Sequence, residues 1–363
     1  MARIRKHRGK WQILYRDPTT GRERSAGTFT RKSDATRQRK AVEYKTQTGE
    51  WIDPTLQATP YGEWARTWLD TKTHLKPKTL ETYESLFNSR ILPRFGDARL
   101  RDIRAIDVER WITTLHEAGL SPLTIRKAHG LLSQTFKAAM RNRMLPNNPA
   151  EGVSLPRVKR KEMLYLSPGQ VQRLADAIPD EHEALIYTLA YAGIRQGEAT
   201  ALRRGRVNLL RRELVIAESA TNVHGSKVFS LPKNGKTRTV PIPTFLAAMI
   251  AAHLEHVPPE PDALVFTNSA GGPMDWSNFR RRVWAPAREV AHLDPKLRIH
   301  DLRHTAASIL IAQGAHPKVI QEHLGHSSIV ITMDRYGHLY PEDRSKVTDA
   351  LDAAFTAARK ATA

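Results

Sequence analysis

The 363-residue chain contains no cysteine. That excludes disulfides and thiolate metal sites and is compatible with a cytoplasmic setting. No run approaches the ~20 consecutive apolar residues of a bilayer span, so no membrane partner is expected. The basic N-terminus, MARIRKHRGKW, has no apolar core after it, so no signal peptide is expected. Acidic residues are in short supply: 37 Asp and Glu stand against 57 Lys and Arg, a formal charge of +20. Such a surplus points to a polyanionic partner, and without a membrane segment the natural polyanion is nucleic acid. A metalloenzyme also lacks its parts. There is no HExxH, and the histidine-rich stretch 298–340 holds no carboxylate cluster suited to magnesium. His300 and His304 have ligand spacing, yet a metal reading leaves Arg195, Lys233 and Tyr336 unexplained. Neither a metal nor any other cofactor is expected.

The stretch around which the chain is organised is RIHDLRHTAASILIAQGAHPKVIQEHLGHSSIVITMDRYGHLY, residues 298–340. Leu302, Ala306, Ile309 and Leu310 give an apolar stripe of helical period. His300 and Arg303 are three apart, so a helix sets both on one face. Val319, Ile320 and Leu324 mark a second, short helix, which Gly325 ends by tolerating a left-handed backbone. His326 follows that stop, and Tyr336 lies ten residues further on. Upstream, Arg195 sits in Gly193-Ile-Arg-Gln-Gly-Glu198, after an apolar helix over 183–192. Glu198 either forms a plain surface ion pair or orients a neighbour. Lys233 precedes Asn234-Gly235 between VFSLP and TRTVPI, a hairpin signal. Lys227 and Lys236 are nearby competitors for its role, and Arg238 reads as a phosphate or packing arginine. A tyrosine can act as a covalent nucleophile, and attack on a phosphodiester needs cations against the developing charge.

Arg195, Lys233, His300-x-x-Arg303, His326 and Tyr336, in that order, resemble the tyrosine recombinases of phage-integrase type, as found in actinobacterial phages and prophages. Leu324-Gly-His-Ser327 and Asp334-Arg-Tyr-Gly-His338 resemble further signatures of that family. The clear resemblance covers roughly 160–340; Ala199-Thr200 after Glu198 is a small departure that bears on packing. The resemblance implies that Tyr336 attacks a DNA phosphate and becomes linked to its 3′ side. Arg195 and Arg303 would hold the non-bridging oxygens, guanidinium forks being matched to phosphate. His300 would receive or position the tyrosine proton, Lys233 would protonate the leaving 5′ oxygen, and His326 would hydrogen-bond to the phosphate. It further implies double-stranded attachment sites as substrate and a homotetramer on two duplexes, with room for a host DNA-bending protein and an excisionase. A type IB topoisomerase would share the chemistry without strand exchange. A DNA-binding protein without catalysis would be expected to lack one of the six residues.

The rest of the chain fits a multidomain protein. Residues 1–50 carry 14 basic and 5 acidic side chains. Strands at 10–16 and 22–29 and a helix near 33–46 make 1–57 a small basic β-sheet module, with Arg3, Arg5, Lys6 and Lys10 as candidate DNA contacts and Trp11, Ile13 and Tyr15 as its apolar face; by placement and size it resembles the arm-type DNA-binding domain of such integrases. Residues 58–155 read as an all-α domain, for which the resemblance implies a core-binding, SAM-like helical bundle. Its helices are 60–72, one begun by Pro77 and broken at Leu92-Pro-Arg-Phe-Gly96, one stopped near Gly119, and one opened by Ser121-Pro122. Lys76, Lys78, Arg126 and Lys127 are its candidate DNA contacts. A basic, proline-punctuated linker leads into a mixed α+β catalytic domain, 156–345. There, 206–209, 213–216, 227–231 and 237–242 suggest an antiparallel sheet, 264–266 a buried strand, and 276–291 a basic helix bearing Arg280, Arg281, Arg282 and Arg288. In the tail, 346–363, a last helix spaces Val347, Leu351 and Phe355 by four; they either finish the local core or dock on a neighbouring subunit.

Overall fold

Three antiparallel strands, β1 (Arg3–His7), β2 (Lys10–Arg16) and β3 (Glu23–Phe29), form the first sheet, in the order β1-β2-β3. The computed structural model describes residues 2–16, 21–47, 52, 54–158, 162–232, 235–340 and 344–361. The chain divides into two units, Met1–Arg160 and Lys161–Ala363. β1 is an addition to the sequence reading, which treated 1–9 as basic chain. Only Ile4 in RIRKH is apolar, so alternation gave no signal. What makes the strand is the turn: Arg8 (φ 46°) and Gly9 (φ 77°) are both left-handed, the backbone of a type I′ hairpin. A register shift between Ile13 and Leu14 lets both side chains of β2 be buried. The helix Lys32–Gln47 packs Ala35 and Val42 on Ile13 and Tyr15, a small apolar cluster of its own.

A larger cluster holds the helices Tyr61–Asp70, Pro77–Leu86, Ala105–Glu117 and Pro122–Arg141 together. Tyr61, Trp64, Phe95, Trp111 and Phe136 are core residues, and the three with polar ends satisfy them internally, Trp111 Nε1 by donating to the Arg90 carbonyl at 3.0 Å. The Tyr61 hydroxyl lies 2.9 Å from Thr135 Oγ1, and Trp64 Nε1 donates to the Thr135 carbonyl at 3.0 Å. Ser121 caps the last helix by accepting from the Thr124 N–H. The expected break at Leu92-Pro-Arg-Phe-Gly96 falls at its last residue, Gly96, which caps the helix, and not at Pro93. The helix passes through a π turn, Phe87–Ile91, into Leu92–Phe95; the widened turn absorbs the donor that Pro93 lacks. The same device carries the basic helix past Pro286: Trp276–Phe279, a π turn over Arg280–Trp284, then Ala285–Val290.

In the second unit a large apolar core is assembled from Leu185, Ile194, Leu214, Val240, Trp284 and Leu302, among others. Strands β4 (Val207–Asn208), β5 (Glu213–Ile216) and β8 (Arg238–Pro241) make one sheet, while β6 (Ser219–Val223) and β7 (Ser226–Ser230) make a separate hairpin. This corrects two expectations. β6 was not foreseen, and the strands flanking Asn234-Gly235 do not pair with each other. The hairpin turn is instead His224-Gly225, at φ 46° and 82°. Pro232 carries no N–H and cannot extend a ladder from β7, so the chain crosses over and β8 pairs with β5. At 264–266 there is a single bridge, Arg203 to Leu264, rather than a strand, although Val265 and Phe266 are buried as expected. The last helix, Arg344–Ala361, leaves Leu351 and Phe355 each 64% exposed, so they do not finish the local core; the Val347 side chain lies outside the described residues.

Candidate active site

One buried carboxylate organises the arginines. Glu198 is 1% exposed and accepts from four groups: the Arg195 N–H at 2.8 Å, Arg195 Nη1 at 2.7 Å, and Arg238 Nη1 and Nη2 at 2.9 and 2.7 Å. Glu198 is thus a buried link between Arg195 and Arg238, not a surface partner of Arg195 alone. Burial by itself would raise the carboxyl, but the hydrogen bonds and charges of Arg238 and then Arg195 outweigh it and hold the pKa at about 2. Arg238, on β8, also donates from Nε to the His323 carbonyl at 3.2 Å. It is thus a packing arginine, one of the two roles expected.

Arg195 reaches on to the Gly325 carbonyl with Nη2, at 3.1 Å. Arg303, from the helix Asp301–Ala312, is 3% exposed and donates to the carbonyls of Gly193, at 2.6 Å, and Leu324. Burial and the neighbouring Arg195 lower its pKa to about 9, so it keeps its charge at neutral pH. Two glycines make this closeness feasible. Gly193 (φ 61°) turns the chain out of the helical run 183–192, and a Cβ there would meet Leu324 Cδ2 at 2.8 Å. Gly325 (φ 64°) stops the helix Pro317–Leu324, and a Cβ there would meet Arg238 Cδ at 2.8 Å.

Tyr336 ends the helix Ile329–Tyr336 and is 1% exposed. Its ring lies parallel to that of His326, 6.3 Å between centroids and 12° between planes. His326 is fixed by its Nδ1, 2.9 Å from Thr332 Oγ1. Burial, with Arg303 and Arg195 beside it, lowers its pKa to about 3. The Tyr336 hydroxyl lies 2.7 Å from His304 Nδ1. Here the structure departs from the expectation that His300 meets the phenol. His300 is the residue before the helix, and its ring meets the edge of His304 at 5.3 Å. Tyr336 approaches one turn further along, where position 304 faces it. The only sequence signal for His304 was its i,i+4 relation to His300, which equally suits a packed histidine. Burial first, then Arg303, holds His300 at about 4.

Arg195, Arg303, His326 and Tyr336 are therefore brought together, with Glu198 behind them and His300 adjoining. Lys233 lies outside the described residues. The candidate DNA contacts are surface residues. Arg3 and Arg5 project from β1, bonded to Glu23 at 2.8 Å and Gln12 at 2.9 Å, beside exposed Lys6 and Lys10. Lys76, Lys127 and Arg280 are exposed. Lys78 pairs with Glu81 at 2.6 Å, Arg126 donates to the Pro156 carbonyl at 3.0 Å, and Arg281 to Asn278 at 3.2 Å. Arg288 is turned inward to the Leu297 carbonyl, so it leaves the basic face of its helix.

With this geometry in hand, the comparisons are specific. The phage integrase family model matches residues 165–343, and the N-terminal SAM-like domain of phage integrases matches 61–116. The fold and site define a tyrosine-type recombinase, and the chain belongs to the phage integrase family. It is 29% identical over 348 residues to a putative prophage phiRv2 integrase of Mycobacterium tuberculosis, which spans 93% of this chain and 91% of that one. The Tn1549 transposon integrase, solved in complex with a circular intermediate DNA, aligns with a TM-score of 0.70 at 18% identity over 80% of this chain and 98% of its own. A lambda integrase tetramer bound to a Holliday junction gives 0.58 at 18% identity over 90% and 95%. The shared fold is the expected one: N-terminal sheet module, SAM-like helical domain and mixed α+β catalytic domain.

Proposed function

We propose that this enzyme integrates and excises phage or other mobile-element DNA, cutting and rejoining attachment sites through a 3′-phosphotyrosyl intermediate. The observation that carries the reading is the enclosure of one tyrosine hydroxyl, Tyr336, in the cluster that holds Arg195, Arg303 and His326. Tyr336 attacks phosphorus. Arg195 and Arg303 hold the non-bridging oxygens, His326 hydrogen-bonds to the phosphate, and Lys233 protonates the departing 5′ oxygen. Tyr336 as a residue is 1% exposed and must be uncovered before it meets DNA, so engagement of the duplex includes a movement of helix Ile329–Tyr336. Residues 1–57 act as the arm-binding module, 58–155 as the core-binding domain, 156–345 as the catalytic domain and 346–363 as a tail that docks on a neighbour. Four protomers work on two duplexes, in the nucleoid of a bacterial host, with an excisionase and a DNA-bending protein setting direction. The arm module favours this reading over a topoisomerase.

The test is recombination itself. Duplexes that the full-length chain selects from a random-sequence pool, placed on two plasmids, should yield cointegrates in the presence of EDTA. Relaxation of supercoils with no joined product would instead support a topoisomerase. Lys233 has its own test. Lys233→Ala should slow cleavage of an ordinary phosphodiester about 10²-fold or more, and a 5′-thio leaving group, which needs no proton donor, should restore most of the rate. Rescue seen with Lys236→Ala and not with Lys233→Ala would move the role across the turn.

A further inference from the structure

His304 and His326 flank Tyr336 and His300 adjoins His304, and the three differ in what they offer its hydroxyl. His326 lies with its ring parallel to the phenol ring, and its Nδ1 is engaged by Thr332. Its ring face, rather than a nitrogen lone pair, is therefore presented. His300 meets His304 edge-on, and no hydrogen bond joins it to Tyr336 among the described residues. His304 is different: its Nδ1 is 2.7 Å from the phenolic oxygen, within the reach required of a general base.

We propose that His304 is the base that takes the Tyr336 proton, with Asp301 as a positioning residue that fixes its tautomer. This rests on the reading of Tyr336 as nucleophile.

The far nitrogen, His304 Nε2, faces Asp301 Oδ1 at 4.0 Å. The Asp301 side chain is 1% exposed and is held in place by Arg298, whose backbone N–H, Nε and Nη2 donate at 2.7, 3.1 and 2.7 Å. A carboxylate on that side favours the proton on Nε2, which leaves the Nδ1 lone pair directed at the phenol. The imidazole must also be unprotonated to act. Burial, then His300, Arg335 and Arg298, lower its pKa to about 4 against the opposing pull of Asp301, so it is neutral at pH 7. The phenol needs such help, because burial raises its own pKa against the opposing charges of Arg303 and Arg335.

The step balances. The Tyr336 Oη–phosphorus bond forms as its proton passes to His304 Nδ1. The phosphorus–O5′ bond breaks, and the 5′ oxygen leaves with the electron pair and takes a proton from Lys233. In rejoining, a 5′ hydroxyl attacks phosphorus and gives its proton to Lys233, while Tyr336 departs and recovers its proton from His304. No oxidant or cofactor enters.

The experiment uses the full-length chain and a nicked suicide duplex selected from a random-sequence pool by binding to that chain. His304→Asn places an amide oxygen near the Nδ1 position, so it can accept the hydrogen bond but cannot hold the proton. It should bind the duplex as wild type does and form the covalent complex about 10²-fold more slowly at pH 7. Its rate should climb with pH through the alkaline range, where the wild-type rate is flat. His304→Ala should regain several-fold activity on addition of imidazole. A His304→Asn rate equal to wild type, with the same flat profile, would overturn the proposal while leaving the recombinase reading intact. Absence of any adduct from the wild type would instead overturn that reading, and this inference with it.

Discussion

Tyr336→Phe should bind its duplex normally and form no covalent complex, a loss on the order of 10³-fold or more. The substitution deletes one oxygen and keeps the ring that packs among Ala307, Ile311, Ile320 and Leu324. What folding loses is the hydrogen bond to His304, worth about 1 kcal/mol net, plus some cost for leaving the imidazole nitrogen unpaired. The protein should therefore melt only a few degrees lower. The rest of the nine tyrosines are poor substitutes. Tyr61 is fully buried against Thr135 in the helical domain, and burial raises its pKa strongly. Tyr340 donates to the Ala315 carbonyl at 3.3 Å. Tyr187 and Tyr191 stack on each other, and the Tyr187 hydroxyl donates a hydrogen bond to Gln172 Oε1. The readout is a denaturing gel with nicked suicide DNA and mass spectrometry of the attached peptide. A shifted band from Tyr336→Phe, or one that needs added divalent metal, would remove both the nucleophile and the metal-free chemistry from the account.

Much of this site was legible in the sequence because its members sit at helix ends, where local rules are strong. Gly193 and Gly325 announce the two left-handed stops beside Arg195 and His326, and the 3.6-residue period sets Arg303 on its helix. Ser121 marked a helix start for a similar reason: a cap is a local hydrogen bond. Less legible were features settled by partners far along the chain. Arg238 meets Glu198 across 40 residues, and His304 meets Tyr336 across 32; nothing within a helical turn of either residue announces the contact. The sheet failed at a related point. Asn234-Gly235 is a good turn, but a turn does not choose the strand partner, and β8 found β5 by burying Val240 next to Leu214. Within Leu92-Pro-Arg-Phe-Gly96 the break falls at Gly96 and not at Pro93, because a π turn can absorb a missing donor. The strand β1 was under-read because its residues are mostly charged and its fold is fixed by Arg8-Gly9.

Glu198→Gln should be the most damaging substitution to the fold of the catalytic unit. The carboxylate side chain is 0% exposed and lies between two guanidiniums at 2.7 Å each. An amide keeps a hydrogen-bond acceptor but removes the charge, so Arg195 and Arg238 would face each other uncompensated. Breaking a buried ion pair from one side costs about 3–5 kcal/mol, which for a unit of this size is a fall in Tm of roughly 6–20 °C. Cleavage should fall as well, since Arg195 would lose the anchor that aims it beside Gly325. The repair is also predictable. Adding Arg238→Met removes the stranded charge, and the double variant should recover much of the lost stability, giving a coupling well above experimental error in a double-mutant cycle. The pH dependence follows from the same carboxylate. Its folded pKa, about 2, lies below the ordinary 4.5, so its contribution is fully present above 4.5 and is lost as pH falls through 2. The buried histidines act earlier. His300, His304 and His323 have folded pKa values near 4 and His326 near 3, against an ordinary 6.5. Their contribution is present above 6.5 and is lost as pH falls through 4 and then 3. Wild type should thus weaken in two stages on acidification, and Glu198→Gln should show the upper stage alone. An unchanged melting temperature for Glu198→Gln at pH 7, or a double variant no more stable than the single, would mean that the carboxylate does not hold this arginine pair in place.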